Sequence, residues 1–161
     1  MSPYRTLNPT TGQTEKVFDL HTTHDMIKKL EHAHHFWQHD WRRRSIADRS
    51  ALLSKAADIL RTNKEHHARL ISIEMGKVLS EAVWEIELSA DILTYYANMA
   101  ETFLKPRELP VTQGKAVVLS EPLGVIYCVE PWNFPFYQVV RVAAPNLMAG
   151  NVVMVKHATG V

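Results

Sequence analysis

The chain has 161 residues, the usual size of one domain, and 46% of them are hydrophobic against 22% charged. This balance excludes a disordered or fibrous chain. Eighteen lysine and arginine residues against seventeen acidic ones leave a net charge of +1, which gives no reason to expect nucleic acid or an anionic membrane as partner. One cysteine, a polar start and no apolar run of about 20 residues predict a soluble, cytoplasmic protein without a signal peptide or membrane span.

The first two thirds of the sequence combine a short extended segment with a long helical pattern. Residues 1–20 are extended in character, with a turn at Asn8–Gly12. Between Thr23 and about Leu104, apolar residues recur at steps of three and four, which predicts amphipathic helices. The first helix is expected to bury one stripe, made of Met26, Ile27, Leu30, Ala33, Trp37 and Trp41.

Capping residues predict where the following helices begin and end. Ser45 and Asn63 are expected N-caps, and Gly76 is expected to end the third helix in the left-handed conformation. Pro106 ends the fourth and longest helix. Its predicted apolar stripe contains Leu79, Ala82, Val83, Ile86, Ala90, Leu93, Ala97, Ala100 and Leu104.

The pattern after Pro106 is typical of strands. Val111–Thr112 and Lys115–Ser120 flank Gln113-Gly114, which predicts a β-hairpin within residues 107–122. Gly124–Val129 is a continuous apolar run, which predicts a strand buried on both faces.

A helix and a second strand complete a βαβ unit. Pro135 suits the first turn of a helix that runs to about Met148, and Val152–Val155 is a short buried strand. The two strands should be parallel. Because two parallel strands normally need further neighbours, we expect an α/β fold in which residues 1–161 form the front part of a larger domain.

Two short segments follow the predicted strands at the edge where open α/β sheets bind ligands. In the first, prolines flank Trp132 and Asn133, and an asparagine amide can stabilise a developing oxyanion without titrating. Alternatively, Asn133 caps the next helix and Trp132 packs in the core. In the second segment, Lys156 and Thr159 can contact a phosphate or ribose, or Lys156 is a solvated lysine at a strand end.

Other groups favour structural interpretations. His32, His35 and His39 have the spacing of helical metal ligands, but they lie opposite the apolar stripe and no carboxylate or cysteine joins them. We therefore interpret them as a solvated face and predict no metal site. The chain contains neither G-x-G-x-x-G nor a Walker A sequence, so ordinary Rossmann pyrophosphate binding is not supported.

Several segments together resemble the N-terminal part of NAD(P)-dependent aldehyde dehydrogenases, and most closely the succinate-semialdehyde dehydrogenase branch. The resemblance covers nearly the whole chain. The matching segments are Asn8–Gly12, Lys55–Asp58, Glu74–Ala82, Glu121–Ile126, Pro131–Pro135, Ala149–Asn151 and Val155–Ala158.

The resemblance implies roles for the residues at the sheet edge. Asn133 would donate to the alkoxide formed when a cysteine attacks the aldehyde, and Pro131 and Trp132 would line the nicotinamide site. Lys156 would contact the adenosine ribose or its 2′-phosphate. Many members that prefer NAD have a glutamate where Thr159 stands, so the neutral threonine favours NADP over NAD.

The resemblance also implies what the sequence lacks. The family's nucleophilic cysteine, general-base glutamate and second cofactor-contacting loop would lie beyond Val161. Cys128 is not expected to replace that nucleophile, because its apolar strand should raise the thiol pKa. The family's residues 107–122 belong to an extension that joins subunits, so we expect a homo-oligomer.

Two hypotheses for function remain open from the sequence. In the first, the chain is the N-terminal part of the cofactor-binding domain of an enzyme that oxidises an aldehyde, with succinate semialdehyde as the implied substrate. In the second, it is a truncated, inactive relative that acts as an interaction module through an unpaired strand edge.

Overall fold

The structure, a computed structural model, describes residues 4–161, so the first three residues of the predicted extended segment lie outside the described residues. The helices are α1 (Thr23–His39), α2 (Ile46–Thr62), α3 (Lys64–Met75), α4 (Leu79–Leu104) and α5 (Pro135–Met148). The strands are β1 (Arg5–Leu7), β2 (Thr14–Val17), β3 (Arg107–Leu109), β4 (Ala116–Val118), β5 (Val125–Val129) and β6 (Val152–Lys156). None of the helices in residues 4–161 is long and apolar enough to cross a membrane.

Strands β1 and β2 form an antiparallel pair on either side of the predicted turn at Asn8–Gly12. The Asn8 side-chain oxygen accepts hydrogen bonds from the backbone amides of Thr10 and Thr11 at 3.0 and 3.3 Å. Such a turn holds the two strands together locally. The backbone amide of Arg5 donates to the carbonyl oxygen of Thr159 at 3.1 Å, which places this hairpin beside the end of β6.

Helix α4 is the centre of the helical layer and contacts α2, α3 and α5. Its predicted stripe is buried at Ala82, Ile86, Ala90, Leu93, Ala97 and Ala100, and the many alanines let the neighbouring helices approach closely. Leu79, at the start of the helix, is 44% exposed, so its predicted burial is wrong. The buried apolar side chains of this layer are Leu53, Ala57, Ala68, Ile71, Ala82, Ile86, Ala90, Leu93, Ala97, Ala100, Ala144 and Met148.

Helix α1 differs from its prediction in which residues it buries. It ends at His39, and Trp41 lies in a separate 3-10 turn, Trp41–Arg43. Trp37 and Trp41 are buried, and their indole N–H groups donate to the carbonyl oxygens of Gly150 and Leu147. The prediction that the first half of the stripe is buried is wrong. Met26, Ile27 and Leu30 are exposed, because no described residue covers them.

All three predicted cap positions are confirmed, but only two of the caps act as expected. The Ser45 hydroxyl accepts from the Asp48 backbone amide, and Gly76 ends α3 with a φ of 77°. Asn63 occupies the predicted N-cap position of α3, but its side chain forms no cap hydrogen bond to that helix. Its Nδ2 donates back to the Ile59 carbonyl oxygen at 2.9 Å, so the Asn63 side chain satisfies the end of α2 instead.

The predicted hairpin after α4 exists, but its first strand lies earlier than expected. Strand β3 ends at Leu109, which pairs with Ala116 across an antiparallel ladder. Pro110 has no N–H group to continue the ladder, so Val111 and Thr112 fall in the connecting loop rather than in a strand.

The βαβ unit forms as predicted, with β5 and β6 parallel and in register from Val125↔Val152 to Val129↔Lys156. The expectation that β5 is buried on both faces is wrong. Tyr127 and Val129, which alternate along the strand and share one face, are 53% and 63% exposed, whereas Cys128 on the opposite face is buried. The unit is the beginning of the expected parallel sheet.

Candidate active site at the carboxyl edge of the strands

Parallel pairing brings the ends of β5 and β6 to one edge. Val129 lies opposite Lys156, and the backbone amide of Glu130 donates to the Lys156 carbonyl oxygen at 3.0 Å. The loop before α5 and the segment after β6 therefore leave the sheet side by side. This is the edge at which open α/β sheets bind ligands.

The loop presents Trp132 and Asn133 on the surface. Trp132 is 60% exposed, so it does not pack in the core. Asn133 is exposed, and its side chain forms no hydrogen bond to another residue within 4–161. Residue Phe134 precedes α5 and offers no side-chain cap. Hence Asn133 has amide N–H groups that remain available to a ligand.

A buried carboxylate from α4 takes the place of a local cap on α5. Glu85 Oε1 accepts hydrogen bonds from the backbone amides of Phe136 and Tyr137 at 2.9 and 3.1 Å. Glu85 Oε2 accepts from the Nζ of Lys77. The Glu85 side chain is fully buried and that of Lys77 nearly so. Sequence reasoning missed this group, although Glu85 lies on the buried face of α4, one residue before Ile86.

Lys156 and Thr159 follow β6 on the same edge. The Lys156 Nζ donates to the carbonyl oxygen of His157 at 2.9 Å and lies 5.3 Å from the centroid of the Tyr4 ring. Among residues 4–161, no carboxylate forms an ion pair with Lys156. The Thr159 residue is exposed. A cation without a carboxylate partner is suited to bind an anionic ligand.

A groove of about 930 Å³ adjoins this edge, and both Lys156 and Thr159 line it. Its other walls are mostly apolar and come from α1, α3, α5, the two parallel strands and the segment Phe18–His21 before α1. Neither Trp132 nor Asn133 lines the groove. The structure thus brings Lys156 and Thr159 together and places the Asn133 loop next to them, outside the groove wall.

The cysteine of β5 is not part of this surface. Cys128 is buried, and burial, with a smaller contribution from the charge of Glu130, raises the pKa of the Cys128 thiol. A raised pKa leaves little thiolate near neutral pH. The predicted burial of Cys128 is confirmed, and the direction of its pKa agrees with the low reactivity that we expect of this thiol.

The histidine-rich face of α1 shows ring stacking rather than a shared ligand geometry. The rings of His35 and His39 stack with their centroids 4.2 Å apart, and His39 Nδ1 contacts the His35 carbonyl oxygen at 2.9 Å. Within residues 4–161 no group of three or more histidine, cysteine, aspartate or glutamate side chains has the arrangement of a metal site.

Sequence comparison relates the whole described chain to one family. The profile of the aldehyde dehydrogenase family matches residues 2–161. The chain is 44% identical over 156 residues to the succinate-semialdehyde dehydrogenase [NADP(+)] of Deinococcus radiodurans and 42% identical to a probable one of Synechocystis. These alignments cover 97% of this chain but 32% and 34% of the relatives. The chain therefore spans about a third of the length of these relatives.

Solved structures show the same relationship. The chain superposes with a TM-score of 0.97 on Gox0499, a protein studied for its cofactor and substrate selection, at 56% identity over 98% of this chain and 35% of that one. It superposes with a TM-score of 0.93 on the succinic semialdehyde dehydrogenase of Streptococcus pyogenes in complex with NADP+, at 40% identity over 98% of this chain and 34% of that one.

Proposed function

Because the chain belongs to the aldehyde dehydrogenase family, we propose that it supplies the oxyanion-binding and dinucleotide-binding residues of an enzyme that oxidises an aldehyde to a carboxylic acid. The observation that supports this most directly is the exposed Asn133 amide at the carboxyl edge of β5, with no partner among the described residues.

Asn133 is proposed to donate a hydrogen bond to the substrate oxygen as negative charge develops on it. An amide donor suits this role because it does not titrate and its dipole is oriented before the reaction. The loop between β5 and α5 holds it near the sheet, with Pro131 and the buried Pro135 restricting the backbone on either side. Removal of one such donor commonly costs a factor of about 10²–10³ in rate.

The residues present fit a nicotinamide dinucleotide, whose nicotinamide ring accepts hydride when it is bound. Lys156, which pairs with no carboxylate within residues 4–161, offers a cation to the ribose or its 2′-phosphate. Pro131 and Trp132 offer an exposed apolar surface to the nicotinamide end. Thr159 adds no negative charge beside Lys156, which favours NADP over NAD. Several of the similar proteins are described with NADP.

The names of the similar proteins support a proposal for the substrate. Succinate semialdehyde is the proposed substrate, since the names of several similar proteins contain it.

The hairpin of β3 and β4 exposes Leu109, Val117 and Val118, and we propose that this surface joins subunits of a cytoplasmic homo-oligomer.

A chimaera tests the catalytic proposal. This chain would replace the matching third of Gox0499, with which it shares 56% identity, and pre-steady-state formation of NADPH from an aldehyde would be measured. Asn133→Ala should slow the first turnover by about 10²–10³-fold. Asn98→Ala, which removes an exposed amide in the C-terminal part of α4, is the matched control and should leave the rate unchanged.

Two results would contradict this assignment. One is an Asn133→Ala chimaera that is as fast as the unchanged chimaera. The other is a correctly folded chimaera without turnover, which would favour the alternative hypothesis of an inactive relative acting as an interaction module.

The cofactor preference has its own test. Thr159→Glu places a carboxylate beside Lys156, where it competes for the cation and repels a 2′-phosphate. We expect the ratio of NADP+ to NAD+ affinity in the chimaera to fall by about tenfold, or about 1.4 kcal/mol. Thr159→Gln is the neutral control of the same length. An unchanged ratio in Thr159→Glu would contradict the proposed role of this position.

A further inference from the structure

The start of α5 is held by two buried charges that come from another part of the chain. The amides of Phe136 and Tyr137 both donate to Glu85 Oε1, whereas Pro135 has no amide hydrogen to satisfy. No side chain of the loop itself caps the helix. The first turn of α5 is therefore positioned by α4 rather than by its own sequence.

The partner of Glu85 reaches the same loop. The Nζ of Lys77 donates to Glu85 Oε2 and lies 3.7 Å from the centroid of the Phe134 ring. Such a cation–ring contact is favourable, and more so when water is excluded. Phe134 directly follows Asn133 in the chain. Hence the ion pair contacts the chain on both sides of Pro135, immediately after the proposed oxyanion donor.

Stability alone does not require this arrangement. A serine or aspartate at the position of Phe134 would satisfy the first turn locally and would remain close to solvent. Here the side chains of Lys77 and Glu85 are 7% and 0% exposed, so both charges are almost fully desolvated. Burial of an ion pair is often neutral or unfavourable compared with apolar packing. What the pair adds is a fixed position, because charge-assisted hydrogen bonds are short and directional.

We propose that Glu85, oriented by Lys77, is a positioning residue that fixes the loop bearing Asn133 in the geometry needed to bind the substrate oxygen. This inference rests on the proposed function in that it assigns Asn133 to the reaction. Glu85 itself is buried beneath the loop and does not contact substrate.

The first test needs no catalysis and uses the 161-residue chain. Glu85→Gln keeps an oxygen acceptor but loses the charge, so the amides of Phe136 and Tyr137 should exchange with solvent about tenfold faster by NMR. The matched control is Glu87→Gln, which removes a carboxylate on the same helix that pairs with Lys64 and does not reach α5. Unchanged exchange at the two amides, or equal acceleration throughout α4, would overturn the proposal.

The second test separates positioning from general structural loss by a double-mutant cycle in the chimaera. Glu85→Gln should slow the first turnover by about 10–100-fold, since a donor misplaced by about 1 Å loses much of its effect. In the Asn133→Ala background the same substitution should cost little more, because the group that it positions is already gone. An equal loss in both backgrounds would overturn the proposal.

A second variant covers the case in which Glu85→Gln does not fold. Lys77→Met combined with Glu85→Gln leaves no unpaired buried charge, and the same cycle with Asn133→Ala applies to it. A native-like double variant with an unreduced first turnover would also overturn the proposal. If the chimaera were inactive from the start, the proposed function would fail, whereas the exchange measurement would still decide whether Glu85 fixes the loop.

Discussion

The helical layer and the parallel strand pair bury their apolar residues to very different extents. In α4, Ile86 and Ala90 are fully buried against neighbouring helices. In β5, Tyr127 and Val129 are more than half exposed, and half of the α1 stripe is exposed as well. Both regions are rich in apolar residues, so composition does not explain the difference.

The difference teaches that a helix bundle can be completed by consecutive segments, whereas a parallel sheet depends on strands from elsewhere. Helices satisfy their own backbone hydrogen bonds, and α2, α3 and α4 follow one another and pack together. Strands β5 and β6 have each other alone among residues 4–161. The candidate active site lies at the edge of the parallel strand pair. Glu85 of α4 connects it to the helical layer through its hydrogen bond to the start of α5.

The largest expected effect is the loss of stability when a buried side chain of the helical layer is shortened. Ile86→Ala should lower the free energy of unfolding of the chain by about 3 kcal/mol, because it leaves a cavity in a fully buried position. Ile27→Ala, the same change at a site 49% exposed on α1, should cost less than about 1 kcal/mol. Urea unfolding of both variants checks this, and equal losses would contradict the difference in burial.

Cys128 offers a chemical probe of the buried face of β5. Burial raises the thiol pKa, so alkylation by iodoacetamide at pH 8 should be at least about tenfold slower in the folded chain than in urea. The protonated thiol is favoured by folding, so this contribution to stability is present below the unfolded pKa of about 8.5 and is lost as pH rises further. Equal alkylation rates in the two states would show that Cys128 is accessible.

Arg49 lies where α2 meets the turn before β6, and it tests whether that junction tolerates a buried charge. The residue is 7% exposed, and its Nε has no hydrogen-bond partner within residues 4–161. Burial lowers the pKa of Arg49. Arg49→Met should therefore raise the free energy of unfolding by about 1 kcal/mol.

Arg61→Met is the control for this prediction, because Arg61 on the same helix forms an ion pair with Asp91 at 2.7 Å. That substitution should leave stability unchanged or lower it by up to about 1 kcal/mol. A loss of stability in Arg49→Met larger than in Arg61→Met would contradict the expected cost of the buried guanidinium.

Sequence patterns predicted the elements whose signals are local. The alanine-rich stripe of α4, the Ser45 cap, the left-handed Gly76 and the start of α5 at Pro135 each depend on residues within a few positions of one another. The parallel pairing of β5 and β6 followed from the length of their connection. The same local information placed Asn133 and Lys156 at one edge.

What the patterns missed depends on contacts between distant segments. The hydrogen bonds from Glu85 to α5 span 51 and 52 residues, and no spacing rule connects them. Burial was overestimated for β5, because an apolar run does not show whether other elements cover both faces of the strand. The first strand of the hairpin was predicted at Val111–Thr112, whereas the ladder ends at Leu109 because the next residue, Pro110, has no N–H group to donate.

The smallest expected effect is the change in stability when an exposed side chain of β5 is shortened. Tyr127 lies on β5, lines the groove and is 53% exposed, so Tyr127→Ala should change the free energy of unfolding of the 161-residue chain by about 0.5 kcal/mol or less. If further segments of a longer protein cover the groove, the same substitution in the chimaera should cost about 2–3 kcal/mol, since a large side chain then loses its packing. Trp84→Ala, at an exposed position on α4, is the control that should cost the same in both proteins. If Tyr127→Ala lowers the free energy of unfolding no more in the chimaera than in the 161-residue chain, the groove stays open. Its apolar wall would then be available to a ligand rather than buried by the fold.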